Sequence, residues 1–313
     1  MHPPPRLFCF GLGYCAERLA RRLESRGFAI AGTTRDVAAK RGELSRSDGS
    51  DGNDWELYEF DGSAPLADAE AALAGTTHLL HSIMPGEQGD PVLRWHSAEI
   101  DALHDLMWSG YLSTTGVYGD HDGDWVNEST PRHPSKARTK RRVEAEDAWL
   151  ERGARVFRLA GIYGPGRSAL ERVASGQTQR IIKPGKVFNR IHVDDIATVL
   201  EASIDQTQAR AREGRAYNVS DGNPASSAEV LSYAAELLGV EPPPAVRFED
   251  AEMSEMARSF WQDDVRVSNE RIVEELGVEL AYPNYRVGLA ALAAVPTTAS
   301  IVEPHVVVRG APR

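Results

Sequence analysis

The sequence predicts an α/β fold, a doubly wound parallel sheet with helices on both faces and a smaller carboxy-terminal region beside it. Short apolar runs alternate with amphipathic helical stretches along most of the chain, the signature of successive β-α-β units. The chain opens on a strand, a glycine turn and a helix, "RLFCFGLGYCAERLARRLESRG". Its 313 residues, 42% hydrophobic and 26% charged, suit one large α/β domain, or a domain with a smaller companion, in a globular protein.

The elements follow in order. "RLFCF" (6–10) is the first strand and 14–26 the helix after the glycine turn. "FAIAGTT" (28–34) is the second strand. Ser45 to Asp54, rich in Gly, Ser and Asp, reads as a polar loop before the third strand, "WELYEF" (55–60). A helix over 64–74 leads to "HLLHSI" (78–83). A helix over 92–107 carries Leu93, Ile100, Leu103, Leu106 and Met107, a pattern that fits core packing or a dimer face. Next come "GYLSTT" (110–115), a helix over 138–152, "RVFRLA" (155–160), a helix over 193–205, "AYNVSD" (216–221) and a helix over 226–238. "EPPPAVRF" (241–248) punctuates the end, and "RVSNERIVEELG" (266–277) reads as a turn plus a helix. The expected sheet order is 3-2-1-4-5-6-7. The expected division places residues 1–160 and 188–222 in a nucleotide-binding domain, 161–187 and 223–290 in a cap, and 291–313 in a loosely attached tail.

Bulk properties narrow the function. A net charge of −11 disfavours a nucleic-acid binder, which needs a basic surface. The basic run Lys136 to Arg142 is followed at once by acids, as on a solvated helix face. No apolar run approaches the ~20 residues of a membrane helix, and "MHPPPR" lacks a signal-peptide pattern. Cys9 and Cys15 make neither a disulfide framework nor a metal site, and the expected compartment is the reducing cytoplasm.

The turn Gly11-Leu12-Gly13-Tyr14-Cys15-Ala16 is a G-x-G-x-x-A form of the dinucleotide fingerprint. Gly11 allows the tight turn, Gly13 lets the backbone approach a pyrophosphate, and Ala16 keeps the helix close to the sheet. Tyr14 lies in the same turn, and the helix amino terminus favours phosphate. The second strand ends "GTTRD". Thr33 and Thr34 stand where an acid would grip the ribose of NAD, and Arg35 follows. An arginine there suits a 2′-phosphate, so NADP is expected over NAD, with Asp36 as the residue able to neutralise Arg35 or take the ribose. Asp61, ending the third strand, either holds the adenine amino group or opens a turn before Gly62.

With these residues in place, four further segments carry a resemblance. "YLSTTGVYGD", "RLAGIYGPGR", "FNRIHVDDIA" and "AYNVSDGNPASSAEV" resemble the extended short-chain dehydrogenase/reductases, the NAD-dependent epimerase/dehydratase group, over about residues 6–290. "STTGVYGD", "RVSNERIVEELG" and "YPNYRVGLAAL" look most like an atypical bacterial subgroup. The resemblance implies that Thr114 hydrogen-bonds a substrate oxygen. It also implies a Tyr-x-x-x-Lys pair on one helix face, preceded by Pro and followed by Glu. Pro134 and Glu146 match with Arg138 at the Tyr position and Arg142 at the Lys position; Lys136, Lys140 and Glu144 form the other register. Both registers lack the phenol. A guanidinium, with a pKa above ~12, cannot relay a proton. Arg138 is left to bind an anion and Arg142 to donate to the ribose.

The resemblance makes Tyr118 and Tyr163 mainly structural. His81 is the best replacement proton shuttle, with Ser82 beside it where the backbone passes the nicotinamide. Arg167, Arg190 and His192 are expected at the substrate cleft. Asp194 and Asp195 open a helix as N-terminal carboxylates. Two functions stay open: an NADP-dependent oxidoreductase or epimerase-like enzyme on a small polar substrate, and a catalytically degenerate NADP(H)-binding sensor or scaffold. A sugar-nucleotide binder is a third. A homodimer is compatible with the helices preceding and containing the Tyr-x-x-x-Lys segment.

Overall fold

The computed structural model describes residues 3–48, 54–206 and 214–295. The first half alternates β1 (Arg6–Phe10), α1 (Tyr14–Ser25), β2 (Ala29–Thr34), α2 (Val37–Asp48), β3 (Glu56–Glu59), α3 (Ala69–Leu73), β4 (His78–His81), α4 (Pro91–Asp101) and β5 (Trp108–Thr114). The chain continues through β6 (Trp125–Val126), α5 (Ala137–Glu151), β7 (Arg155–Leu159), β8 (Gly161–Tyr163), α6 (Ala169–Ala174), β9 (Arg180–Ile182), β10 (Arg190–His192) and α7 (Val193–Asp205). It closes with β11 (Arg215–Val219), α8 (Ser227–Leu238), β12 (Ala245–Arg247), α9 (Glu255–Ser259), β13 (Arg266–Val267), α10 (Glu270–Glu274) and α11 (Tyr285–Ala294).

Seven strands form one sheet in the order β3-β2-β1-β4-β5-β7-β11, and every pairing is parallel. This is the doubly wound order expected from the sequence. Alternate residues of β1 serve opposite faces. Leu7 and Cys9 pack with Leu19 and Leu23 of α1 and Val199 and Leu200 of α7. Phe8 and Phe10 pack with Leu73, Val92, Ile100 and Trp149 from α3, α4 and α5. A strand apolar at each position is what burial on both faces demands. The order reverses between β1 and β4, so the crevice at their carboxyl ends is where a nucleotide would enter.

The structure departs from the sequence reading in several places, among them α3, which begins at Ala69 rather than 64. Residues 45–48 are helical, because α2 runs to Asp48. Its sequence shows no apolar stripe; buried Leu44 and the Lys40–Glu17 pair at 2.7 Å hold it. Helix α4 stops at Asp101, and its Val92 and Ile100 are consumed by the core. Three two-stranded sheets, β8 with β10, β9 with β12 and β13 with β6, consist of segments too short to show a period. The stretch expected as a tail begins inside α11, whose cap Asn284 accepts from the Arg286 and Val287 amides at 3.0 and 3.1 Å. Residues 296–313 of that stretch, and 49–53 of the expected polar loop, lie outside the described residues.

Leu170, Val173, Val230, Leu231, Tyr285 and Leu289 form a separate cluster among α6, α8 and α11. One buried polar network ties α5 to the sheet. Glu146, fully buried, accepts from Ser113 Oγ at 2.5 Å, Arg132 at 2.9 Å and Arg158 Nη2 at 3.0 Å. Arg158 also donates to the Tyr118 hydroxyl at 2.9 Å, which donates on to Asn218 Oδ1 at 2.7 Å. Removing one partner would leave a buried charge uncompensated. Glu146→Ala is therefore expected to lower unfolding free energy by about 3–5 kcal/mol, measured as a urea-midpoint shift, with Glu146→Gln losing less because it keeps one acceptor.

Candidate cofactor and active site

The glycine turn is braced from two neighbouring strands. The Gly11 amide donates to Thr33 Oγ1 at 2.8 Å and the Leu12 amide to the Thr33 carbonyl at 2.8 Å. Ser82 Oγ donates to the Gly11 carbonyl at 2.5 Å. Gly11 sits at φ +86°, and a Cβ there would lie 2.8 Å from Ser82 Oγ, so only glycine fits. A Cβ on Gly13 would meet nothing within 4 Å; the space beside it is open. Helix α1 starts at Gly13 with no side-chain cap. By contrast α3, α4, α6, α8, α9 and α11 are capped by Asp68, Asp90, Ser168, Ser226, Ser254 and Asn284. The first-turn amides of α1 are thus left for an external acceptor, the arrangement that receives a phosphate. Ala16 is buried under the turn. The residues present fit a dinucleotide.

Thr34 ends β2 half-exposed and Arg35 is exposed beyond it. Among the described residues, Arg35 makes no ion pair or side-chain hydrogen bond. Asp36 does not neutralise it: Asp36 Oδ1 accepts from the Ala39 amide at 2.9 Å at the start of α2. Asp61 accepts from the Ser63 amide and hydroxyl at 2.8 and 2.6 Å, which hold its carboxyl below the usual range. That is the turn-opening arrangement. Asp61 also lines a cleft of about 390 Å³ with Gly62, Met84, Gly89 and Arg94.

Thr114 closes β5, and its Oγ1 accepts from the Gly116 amide at 3.2 Å; among the described residues its hydroxyl proton has no acceptor. Arg142 Nη1 donates to the Tyr111 hydroxyl at 3.1 Å and the Leu112 carbonyl at 3.0 Å, beside β5. Arg138 turns the other way. It donates to Ser259 Oγ at 2.9 Å and lies 4.5 Å from the Phe260 ring centroid. His81 is fully buried. Its Nε2 bonds Asp90 Oδ2 at 2.8 Å and its ring stacks on Tyr111 at 5.1 Å, so as it stands the imidazole faces the core. Asp90 also receives Trp149 Nε1 at 3.0 Å. Tyr111, Tyr118 and Tyr163 are all buried, and burial pushes each phenol up.

The residues expected at the substrate cleft separate. Arg167 is exposed and lies 5.9 Å from the Tyr14 ring centroid. Tyr14 donates to the Pro165 carbonyl at 3.0 Å. Arg190 donates to the Phe188 and Ala225 carbonyls at 2.8 and 2.9 Å. His192 is buried, and its Nδ1 accepts from the Asp194 amide at 3.2 Å, so it caps α7 in place of the aspartates. Burial pushes its imidazole down to about 4. Asp194 lies 3.6 Å from Arg18. Asp195 accepts from the Ala281 and Tyr282 amides at 2.8 and 3.0 Å, pinning the loop before α11.

Sequence reasoning missed two groups. Lys136, Lys183 and Lys186 converge on residues 259–264. Lys136 donates to the Ser259 carbonyl at 2.7 Å and pairs with Asp263; Lys183 donates to the Trp261 carbonyl at 2.6 Å; Lys186 donates to the Asp263 carbonyl and lies 3.7 Å from Asp264. The "KPGK" turn was the available signal. The second is Asp221, just past β11. Its Oδ1 accepts from the Asn223 amide at 2.9 Å, and its buried Oδ2 has no partner among the described residues. Burial raises the carboxyl from 3.8 to about 7. Between these values the unfolded chain has released a proton the native state retains, so stability falls as pH rises through that window. Asp221→Asn is expected to raise the melting temperature at pH ~8 and to leave it unchanged at pH ~4, read by thermal denaturation at both values.

No protein-family model and no curated protein matches the chain. Solved structures do. A conserved protein of unknown function from Silicibacter pomeroyi is 48% identical, with 93% of this chain and 98% of that one covered and a TM-score of 0.82. A protein from Methylobacillus flagellatus, provisionally assigned as an NAD-dependent epimerase/dehydratase, is 26% identical over 93% and 98% of the two chains, with a TM-score of 0.69. The dTDP-glucose 4,6-dehydratase of Bacillus anthracis, solved in complex with NAD, shares the fold at 16% identity and a TM-score of 0.70 over 93% and 96%. With the parallel sheet and the braced glycine turn, these likenesses group the chain with the NAD-dependent epimerase/dehydratase proteins, the extended short-chain dehydrogenase/reductases, whose fold it shares.

Proposed function

We propose that the chain is an NADP-dependent oxidoreductase or epimerase-like enzyme acting on a small polar substrate. The observation that carries the cofactor choice is Arg35, exposed at the end of β2, with the adjacent acid Asp36 committed to the start of α2. A planar cation without a carboxylate partner suits a 2′-phosphate, and Thr33 and Thr34 leave no acid to grip an unmodified ribose. The uncapped α1 terminus and the open space beside Gly13 support the diphosphate position. In the same proposal, residues 1–160 and 188–222 carry the cofactor, and 161–187 with 223–290 form the substrate cap.

A bound nicotinamide would supply or accept a hydride. The chain's own part is to orient the substrate and handle the proton. Thr114 donates a hydrogen bond from its hydroxyl to a substrate oxygen, and the proton stays on the threonine. Arg142, fixed on Tyr111 and Leu112, holds positive charge at the position of the family's lysine. Arg138, held on Ser259 and against Phe260, moves no proton. The acid is then the substrate's own group or water, and slow turnover follows, since general acid–base catalysis contributes ~10²–10⁴-fold.

A second reading, a nucleotide-responsive protein without turnover, is favoured by Arg138, which stands where the phenol would be and is packed under Phe260. The two separate on one measurement. NADPH mixed with a panel of small aldehydes and ketones should lose its reduced-nicotinamide absorbance slowly for the enzyme, and not at all for the sensor. Arg35→Ala is expected to weaken NADPH about tenfold or more while leaving NADH unchanged, read by calorimetric titration; equal effects on both would remove the NADP preference.

A further inference from the structure

The loop after β8 lies against the amino terminus of α1. Tyr14, the first residue of that helix, donates to the Pro165 carbonyl at 3.0 Å. A Cβ on Gly164 would stand 2.6 Å from the Tyr14 hydroxyl and 2.7 Å from Val193, so the approach depends on glycine at that position. The turn is internally tied. Gly164 and Arg167 exchange backbone hydrogen bonds at 3.1 and 3.0 Å. The Gly166 and Ser168 amides donate to Glu171 at 3.1 and 2.8 Å.

Arg167 projects from this rigid turn over the Tyr14 ring. Its charge helps to hold down the Cys15 thiol and the Tyr14 phenol, which burial raises. The nearby cations are already matched: Arg18 with Asp194 at 3.6 Å and Arg22 with Glu201 at 3.0 Å. Arg167 has no ion pair or side-chain hydrogen bond among the described residues. The sequence pointed it at the substrate; its position points elsewhere.

We propose that Arg167 is a cofactor residue: it closes over the α1 turn and pairs with the dinucleotide diphosphate, so that the loop contributes a cation to a site whose remaining donors are backbone amides. The proposal rests on the nucleotide reading above. Amides at a helix terminus carry only partial charge, whereas a guanidinium brings a full one in a fork that matches two phosphate oxygens. Held by the Gly164–Arg167 and Glu171 bonds, it loses little backbone freedom on binding. The same contact would couple cofactor binding to the position of residues 163–167.

The test is titration of the full chain with NADPH, with ADP, and with adenosine 2′-monophosphate, which keeps the base and 2′-phosphate but has no diphosphate. Arg167→Ala should weaken NADPH and ADP by about tenfold and leave adenosine 2′-monophosphate unchanged, with Arg167→Lys intermediate. Arg35→Ala should weaken NADPH and adenosine 2′-monophosphate and spare ADP. Unchanged NADPH and ADP affinity in Arg167→Ala would overturn the proposal, as would equal weakening of all three probes. If the wild-type chain binds none of them, the nucleotide reading itself fails, a result distinct from a silent Arg167.

Discussion

Everything at the cofactor edge depends on how β1 is allowed to end. The chain must leave a buried strand, turn within two residues and start a helix without a side-chain cap. Thr33 makes this possible. From the adjacent strand it takes the Gly11 amide on its hydroxyl and the Leu12 amide on its carbonyl, so two backbone donors that the turn strips from the ladder are satisfied inside the fold. Ser82, from the strand on the other side, fixes the Gly11 carbonyl. The turn is therefore held by its two sheet neighbours, and the α1 amides stay available because nothing local is spent on them.

A second constraint acts along α5. Glu146, Arg158 and Arg132 form a buried charged network that fixes this helix against β5 and β7. The helix expected to carry a Tyr-x-x-x-Lys pair is thus firmly anchored, while the sequence offers only arginines and lysines at that spacing. A guanidinium at such a position never titrates near neutrality. Residues 259–264, drawn down by Lys136, Lys183 and Lys186, lie over Arg138. The chemical question therefore moves from the helix to Thr114 and to whatever supplies the proton.

Sheet order, the glycine turn and the main helices were legible because each leaves a local mark: an apolar run, a glycine spacing, an amphipathic period. Helix α2 left none, since its contacts to the core are one leucine and an ion pair to Glu17. The site was less legible. Asp36 and Arg35 are adjacent in sequence, yet the acid turns to the Ala39 amide rather than to the cation. His81 reads as a strand-end histidine and is enclosed by Asp90, Tyr111 and Trp149. Asp194 and Asp195 look like helix caps, but His192 takes that place and Asp195 reaches a loop 86 residues further on.

By itself, the amino-acid order determined the doubly wound sheet, the uncapped glycine-led helix and the loss of the phenol, because periodicity, backbone freedom and side-chain chemistry are properties of neighbouring residues. Tertiary packing alone decided which charges are matched. Among the described residues, Arg35 and Arg167 stay without carboxylates, Arg190 is absorbed by backbone carbonyls, and Asp221 is left with an orphan oxygen. Whether a charge finds a partner depends on groups brought together from distant parts of the chain, and local sequence carries no record of those distances.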